Sequence, residues 1–158
     1  SCCIDKVEWW CYVKEVDYEN PWIYLDNPFT DNDVLDYFGF VYRITNKTTG
    51  RKYLGRKVFW FHRKPPGKKR RVKKPSDWKK YYGSSDELKA DIQLLGKENF
   101  NREIMSLHKT LGKTNFAETE ALFQYKVLTE KLDDGSPMYY NANILSRYYR
   151  KDYFDYED

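Results

Sequence analysis

Cysteine and histidine are scarce in this chain. Three cysteines, Cys2, Cys3 and Cys11, crowd at one end, and the two histidines, His62 and His108, stand far from them. No Cys-x-x-Cys pair occurs. So few ligands at such spacing argue against a zinc centre and leave free thiols, which suit a reducing compartment. Long apolar runs are missing too. Asp5, Lys6 and Glu8 interrupt the N-terminus, so neither a signal peptide nor a membrane span is expected. The chain therefore reads as soluble and intracellular. No internal repeat is present, and 158 residues suffice for one domain with a core of its own.

Aromatics and charge are plentiful. Aromatic residues make up 18% of the chain, with fifteen tyrosines and five tryptophans, and charged residues 33%. Disordered chains are poor in aromatics, so a folded chain is expected. The net charge of +4 conceals an asymmetry. Residues 1–38 carry nine acids against two bases, whereas residues 51–80 hold fourteen Lys/Arg against the single acid Asp77. Half of the 28 basic residues thus fall in thirty positions. Such a block is the electrostatic footprint of a polyanion-binding surface, with a solvated loop as the plain alternative.

Pattern and punctuation divide the chain. Residues 1–38 form an acidic, aromatic extension containing Trp9, Trp10, Trp22 and Tyr24, expected to pack on the main domain, with a Thr30-capped turn or short helix. Residues 39–145 form that domain, and residues 146–158 an acidic tail. Two strands, 39–45 and 51–61, flank the turn Asn46-Lys47-Thr48-Thr49-Gly50, where Gly50 is free to adopt positive φ. Residues 62–76 follow as a basic insert, and Pro65, Pro66, Gly67 and Pro75 predict an irregular loop there. A short piece around Trp78 to Tyr82 leads on to Ser84-x-x-Glu87, a capping box for a helix with Leu88, Ile92 and Leu95 on one face, stopped by Gly96. A third strand is predicted at 100–107. Asn115-x-x-Glu118 reads as a second capping box, for a helix running to about Lys131. The order is that of a small α+β domain: a short sheet of about three strands, opening with a β-hairpin and flanked by helices.

The hairpin carries Phe40-Val41-Tyr42 on its first strand and Tyr53-Leu54-Gly55 on its second, with the tyrosines eleven residues apart. Phosphodiester hydrolysis needs an activated water, a cation where charge develops on phosphorus, and help for the leaving oxygen. A tyrosine pair beside a cationic block suits that chemistry. A free phenol has a pKa of about 10, so the nearby cations are expected to lower it. A carboxylate would supply a hard oxygen ligand for Mg²⁺. Alternation along the second strand puts Lys57 on the face of Tyr53 and turns Arg56 away, which makes Lys57 a candidate for contact with phosphate or with the Tyr53 oxygen.

These triplets, together with Gly39-Phe40-Val41-Tyr42-Arg43-Ile44-Thr45-Asn46 and Asp77-Trp78-Lys79-Lys80-Tyr81-Tyr82-Gly83-Ser84-Ser85, resemble the GIY-YIG nucleases, and the phage Seg-type homing endonucleases among them. The resemblance covers roughly residues 28–145. It implies a nuclease dependent on Mg²⁺, with Mn²⁺ as a substitute, that cleaves double-stranded DNA in the cytoplasm of an infected host cell. It also implies that Tyr42 and Tyr53 are catalytic, that Glu118 holds the metal, and that Asn141 completes the site. Glu120 remains the rival ligand, and Asn141 could instead be a turn residue. The family's catalytic cation falls on Arg63, eight residues after Gly55, but the proline-rich insert begins there, so Lys57, Arg63 and the Lys79/Lys80 pair all stay open. Lys64, Lys68, Lys69, Arg70, Arg71, Lys73, Lys74, Lys79 and Lys80 are expected to meet DNA phosphates largely irrespective of sequence. Trp78 and Tyr81 are candidates for stacking on bases or for the core. His62 reads as a surface or proton-relay histidine, and His108 as structural. Sequence specificity would come from the insert, the N-terminal extension or a homo-oligomer. A non-catalytic nucleic-acid-binding module and a phage interaction protein are the competing readings.

Overall fold

The computed structural model describes residues 15–67 and 69–155. Cys2, Cys3, Cys11, Trp9 and Trp10 therefore lie outside the described residues, as do Lys68 and the side chain of Arg63. Strands β1 (Ile23–Tyr24) and β2 (Asn27–Pro28) precede a short helix α1 (Asp31–Val34). Then come β3 (Gly39–Asn46), β4 (Lys52–Val58), β5 (Trp60–Arg63) and β6 (Val72–Pro75). Helix α2 (Asp86–Leu95), β7 (Phe100–His108) and helix α3 (Leu111–Gln124) complete the main body. A small hairpin of β8 (Asn143–Ile144) and β9 (Tyr148–Tyr149) leads into α4 (Arg150–Tyr153).

The central sheet has five strands in the order β2-β1-β7-β3-β4. It is mixed: β1 runs parallel to β7, and the other pairings are antiparallel. The expected hairpin is β3–β4, with Tyr42 opposite Gly55. Its turn closes through Gly50 N–H donating to the Asn46 carbonyl at 2.7 Å, with Gly50 at φ 81°. The sheet is wider than three strands because the N-terminal segment adds two. Trp22 (0% exposed) and Phe29 (2%) sit in the core with Phe40, Tyr42, Ile44, Phe59 and Trp78. Trp22 meets Phe40 and Tyr42 edge-on, with ring centroids 5.1 Å apart in each case. On the opposite face Leu54 packs with Leu122, Val127, Leu128, Tyr139 and Ile144, beside α3.

A buried arginine joins the extension to the sheet. Arg102 (0% exposed) occupies an inward position of β7 between the buried Phe100 and Ile104. Its guanidinium donates to the carbonyls of Glu19, Asn20, Lys79 and Tyr81 and lies over the rings of Trp22 and Tyr82. It thereby fixes the segment that leads to Ser84, a residue of the cleft described below.

Three local expectations change. The insert is not an irregular loop: β5 and β6 pair antiparallel, Trp60 opposite Pro75 through Arg63 opposite Val72. Pro65, Pro66 and Gly67 fall in the connection between them, and Pro75 ends a strand at a sheet edge, where a missing N–H is tolerated. The cap of α2 is Ser85, whose hydroxyl accepts from Leu88 N–H, not Ser84. Helix α3 begins earlier than predicted, at Leu111, capped by Thr110 accepting from Lys113 N–H at 3.1 Å. Asn115 and Glu118 are thus interior helical residues and make no capping box.

Candidate active site

Strand β4 forms one edge of the sheet, and a cleft of about 470 Å³ opens beside it. Tyr53, Ser84, Glu118, Tyr140 and Asn141 are among its lining residues. Each arrives for a local reason. Tyr53 comes from β4, and its hydroxyl lies 2.8 Å from Ser84 Oγ. Glu118 comes from α3. Thr114, Glu118 and Leu122 recur every four residues and so share a helical face. Thr114 and Leu122 are buried, which carries Glu118 between them to the strand edge. Glu120 lies on the exposed side of the same helix and does not line the cleft.

Gly55 allows this convergence. A Cβ there would stand 2.5 Å from the Tyr42 hydroxyl, so only glycine admits the phenol. Tyr42 itself is 1% exposed. Its hydroxyl bonds to that of Tyr81, and the two rings meet edge-on at 5.9 Å. Tyr53 is therefore the tyrosine of the pair that opens on the cleft, and Tyr42 lies behind it.

The electrostatics run against the expected activation of the tyrosines. Burial raises the Tyr42 phenol well above its ordinary value, and neighbouring Tyr81 and Tyr53 add to the rise, as does Glu118. Burial also raises Tyr53, only partly offset by its bond to Ser84. Loss of water outweighs the nearby cations, so both phenols are held neutral. Glu118 is raised by burial as well, while the Arg56 guanidinium and backbone N–H pull it back down.

The cations sort themselves by partner. Arg56 Nε stands 3.6 Å from Glu118 Oε1, and its side chain is 41% exposed. Lys57 does share the Tyr53 face, but it is paired with Asp77 and lies 4.0 Å over the Tyr81 ring. Lys79 is paired with Asp17 and Asp31. Lys80 is exposed and away from the cleft lining. Arg63 is on β5, beyond the end of β4. Arg56 is thus the cation beside the carboxylate, and strand alternation misses it because Glu118 approaches from the face to which Arg56 points. Its place directly after Tyr53-Leu54-Gly55 is the signal that could have found it.

Asn141 is buried (6% exposed) and pairs twice with one residue of β4. Leu54 N–H donates to its Oδ1 at 3.1 Å, and its Nδ2 donates to the Leu54 carbonyl at 2.8 Å. Its amide thus satisfies the backbone of an edge strand where a neighbouring strand would otherwise lie. Trp78 is 3% exposed and packs against Phe29 and Phe59, so it offers no face to a base. Its backbone carbonyl accepts from Trp22 Nε1 at 2.7 Å. Lys64, Lys69, Arg70, Arg71, Lys73 and Lys74 are exposed along the β5–β6 hairpin. His62, also exposed, stacks on Phe38 at 5.7 Å, and His108 Nε2 lies 2.7 Å from Ser106 Oγ.

A family model described as "Putative endonuclease segE, GIY-YIG domain" matches residues 22–144, well over half of the chain. The chain belongs to the GIY-YIG endonuclease family. The match starts at Trp22, so β1 and β2 fall inside the GIY-YIG domain as matched. Searches of curated proteins and of solved structures returned no match. Among the described residues no helix is long and apolar enough to cross a membrane. Nor do any three His, Cys, Asp or Glu side chains there cluster as a metal-binding group; the carboxylates that line the cleft are Asp86, Glu87 and Glu118.

Proposed function

We propose that this domain hydrolyses phosphodiester bonds of double-stranded DNA with Mg²⁺, or Mn²⁺ in its place, as a Seg-type homing endonuclease of a phage acting inside the infected cell. The observation that carries the reading is the meeting of Tyr53 and Glu118 in one cleft at the edge of β4, with Arg56 3.6 Å from that glutamate. Glu118, the half-buried carboxylate that α3 brings to the cleft, fits Mg²⁺, which is bound through one or two carboxylates, keeps several waters and completes its shell with substrate phosphate oxygens. Held on Glu118, the metal would supply Lewis-acid stabilisation of the charge that builds on phosphorus. Arg56 neutralises the same charge from the protein side. Tyr53, kept neutral by its surroundings, orients the attacking water through its hydroxyl, with Ser84 fixing the phenol. Tyr42 positions Tyr81, and Asn141 holds β4 in place without touching the reacting atoms.

Plasmid cleavage tests this. The protein should cut with Mg²⁺ or Mn²⁺ and stop in EDTA. Glu118→Gln, which keeps the shape and removes the charge, should still bind DNA but no longer cut it. Normal cutting by Glu118→Gln together with a dead Glu120→Gln would move the ligand to the outer face of α3 and overturn the assignment. Binding without cutting by the wild-type protein under every divalent metal would leave a nucleic-acid-binding module.

A further inference from the structure

The β5–β6 hairpin has features that a phosphate-binding loop does not need. It is an ordered two-stranded ribbon whose second strand, Val72–Pro75, is exposed at every position. Neither strand pairs with the central sheet. Isolated hairpins are marginal in water, and this one is held at its root. Phe59, 1% exposed, is the bend between β4 and β5. Its N–H donates to the Phe38 carbonyl and its own carbonyl accepts from Ser76 N–H, both at 2.8 Å. Lys73 lies 4.0 Å over the Trp60 ring, bracing the ribbon across its strands.

The ribbon leaves the sheet at the end of the strand that bears Tyr53 and Arg56, with β5 starting four residues after Arg56. Among the described residues Lys69, Arg70, Arg71, Lys73 and Lys74 have no carboxylate partner. That contrasts with Lys57 and Lys79, which have partners at the ribbon's base. The cations without partners thus begin where the core ends. Two strands about 4.8 Å apart, with side chains, match the major groove, which is about 12 Å wide and admits a two-stranded ribbon. Four paired residues at about 3.4 Å each reach along roughly four base-pair steps. Lysine and arginine are the residues that donate to guanine O6 and N7 on that groove's floor.

We propose that the β5–β6 ribbon enters the major groove beside the scissile phosphate and reads bases there, so that sequence preference resides in the catalytic domain itself. This rests on the DNA-endonuclease reading above, and the test separates the two. Duplexes carrying a randomised segment are cut, and the ends are sequenced, for the wild-type protein and for Lys73→Ala/Lys74→Ala. Both positions are exposed, and a second variant, Arg71→Gln/Lys74→Gln, guards against a local collapse of the ribbon. In parallel, dimethyl sulfate reactivity of guanine N7 is followed on bound duplex in EDTA, where no cutting is required. The wild-type protein should show base preference at a short run on one side of the cut and protect N7 there. Both variants should lose that protection, and their discrimination between preferred and scrambled duplex should fall about tenfold, the low end for one base-edge interaction. Unchanged preference and unchanged N7 protection in both variants, or a wild-type protein that cuts with no preference, overturns the proposal. A wild-type protein that protects N7 but never cuts leaves the ribbon standing and removes the nuclease reading.

Discussion

Glu118 sits in the cleft because of helical spacing and a neighbouring charge, and that has consequences for pH. Its carboxyl is raised above the ordinary 4.5 by burial and only partly drawn back by Arg56. A metal must displace the proton that this shift retains. Cleavage should therefore fall off on acidification at a higher pH than an unshifted carboxylate in the same place would give, and the acid limb should move to higher pH when Arg56 is replaced. Arg56→Ala removes a preorganised positive charge from the reacting phosphate and should lower kcat by about 100-fold, as for removal of one oxyanion donor. Arg56→Lys should recover part of that activity. Equal activity in Arg56→Ala and wild type would return the catalytic cation to Arg63 or Lys57. The tyrosines should separate as well. Tyr53→Phe takes a hydroxyl from the cleft and should cost about 100-fold in rate, within the range of proton-handling groups. Tyr42→Phe takes a buried hydroxyl from Tyr81 and should cost about 1 kcal/mol of stability with a smaller fall in rate. A larger fall in rate in Tyr42→Phe would place that phenol, not Tyr53, against substrate. At this scale the tyrosine triplets are legible in the sequence because strand, turn and glycine all carry local signals. Arg56 is not, since its partner comes from a helix far along the chain.

Elements are legible where pattern and punctuation agree. The strand Phe100–His108, β3 and the start of β4 have both and stand within a residue of expectation, whereas β4 ends at Val58, three residues short of the expected 61. Thr110 is a weak start signal because Gly112 follows it, whereas Asn115-x-x-Glu118 matches a helix start while lying inside the helix. Ser84 mimics the cap one residue early, but its hydroxyl belongs to Tyr53. The insert departs furthest from its pattern. Prolines and glycine in its tip point to a loop and outweigh Trp60 and Phe61, which favour a strand. Its cations still predict its thermodynamics. Replacing Lys69, Arg70 and Arg71 with alanine should weaken binding, and the slope of log K against log salt should fall by up to about 0.9 for each phosphate no longer neutralised. Filter binding of Glu118→Gln with and without the triple change measures this free of cleavage. An unchanged slope would mean that the tip of the ribbon lies away from the phosphates.

Across the whole molecule, tyrosine is the residue that core and cleft share, and it ties stability to alkaline pH. Tyr42, Tyr53 and Tyr139 are raised above 10.0 by burial, and Tyr18 and Tyr140 are pushed up to about 12. These five hold the molecule together from different sides. Tyr18 donates to the Phe29 carbonyl at 2.6 Å and accepts from Trp22 N–H, binding the N-terminal segment to the sheet. Tyr140 donates to Asp91 at 2.6 Å and so ties the cleft to α2. Below about pH 10 these phenols are protonated in both the folded and the unfolded chain, and their full contribution is present. As pH rises past that value the unfolded chain loses these protons first, while the folded chain must keep them. Stability should then fall, by at most about 1.4 kcal/mol per pH unit for any one phenol, with the fully buried Tyr42 contributing most. Between about pH 10 and 12 the phenolate absorbance should therefore contain a cooperative step that coincides with a change in tryptophan fluorescence. Tyr18→Phe, which removes one titrating group and one tether, should flatten that slope by about one proton while lowering stability at neutral pH. A gradual phenolate titration with an intact fold throughout that range would show that these hydroxyls are less enclosed than the burial of Tyr42 and Tyr140 requires.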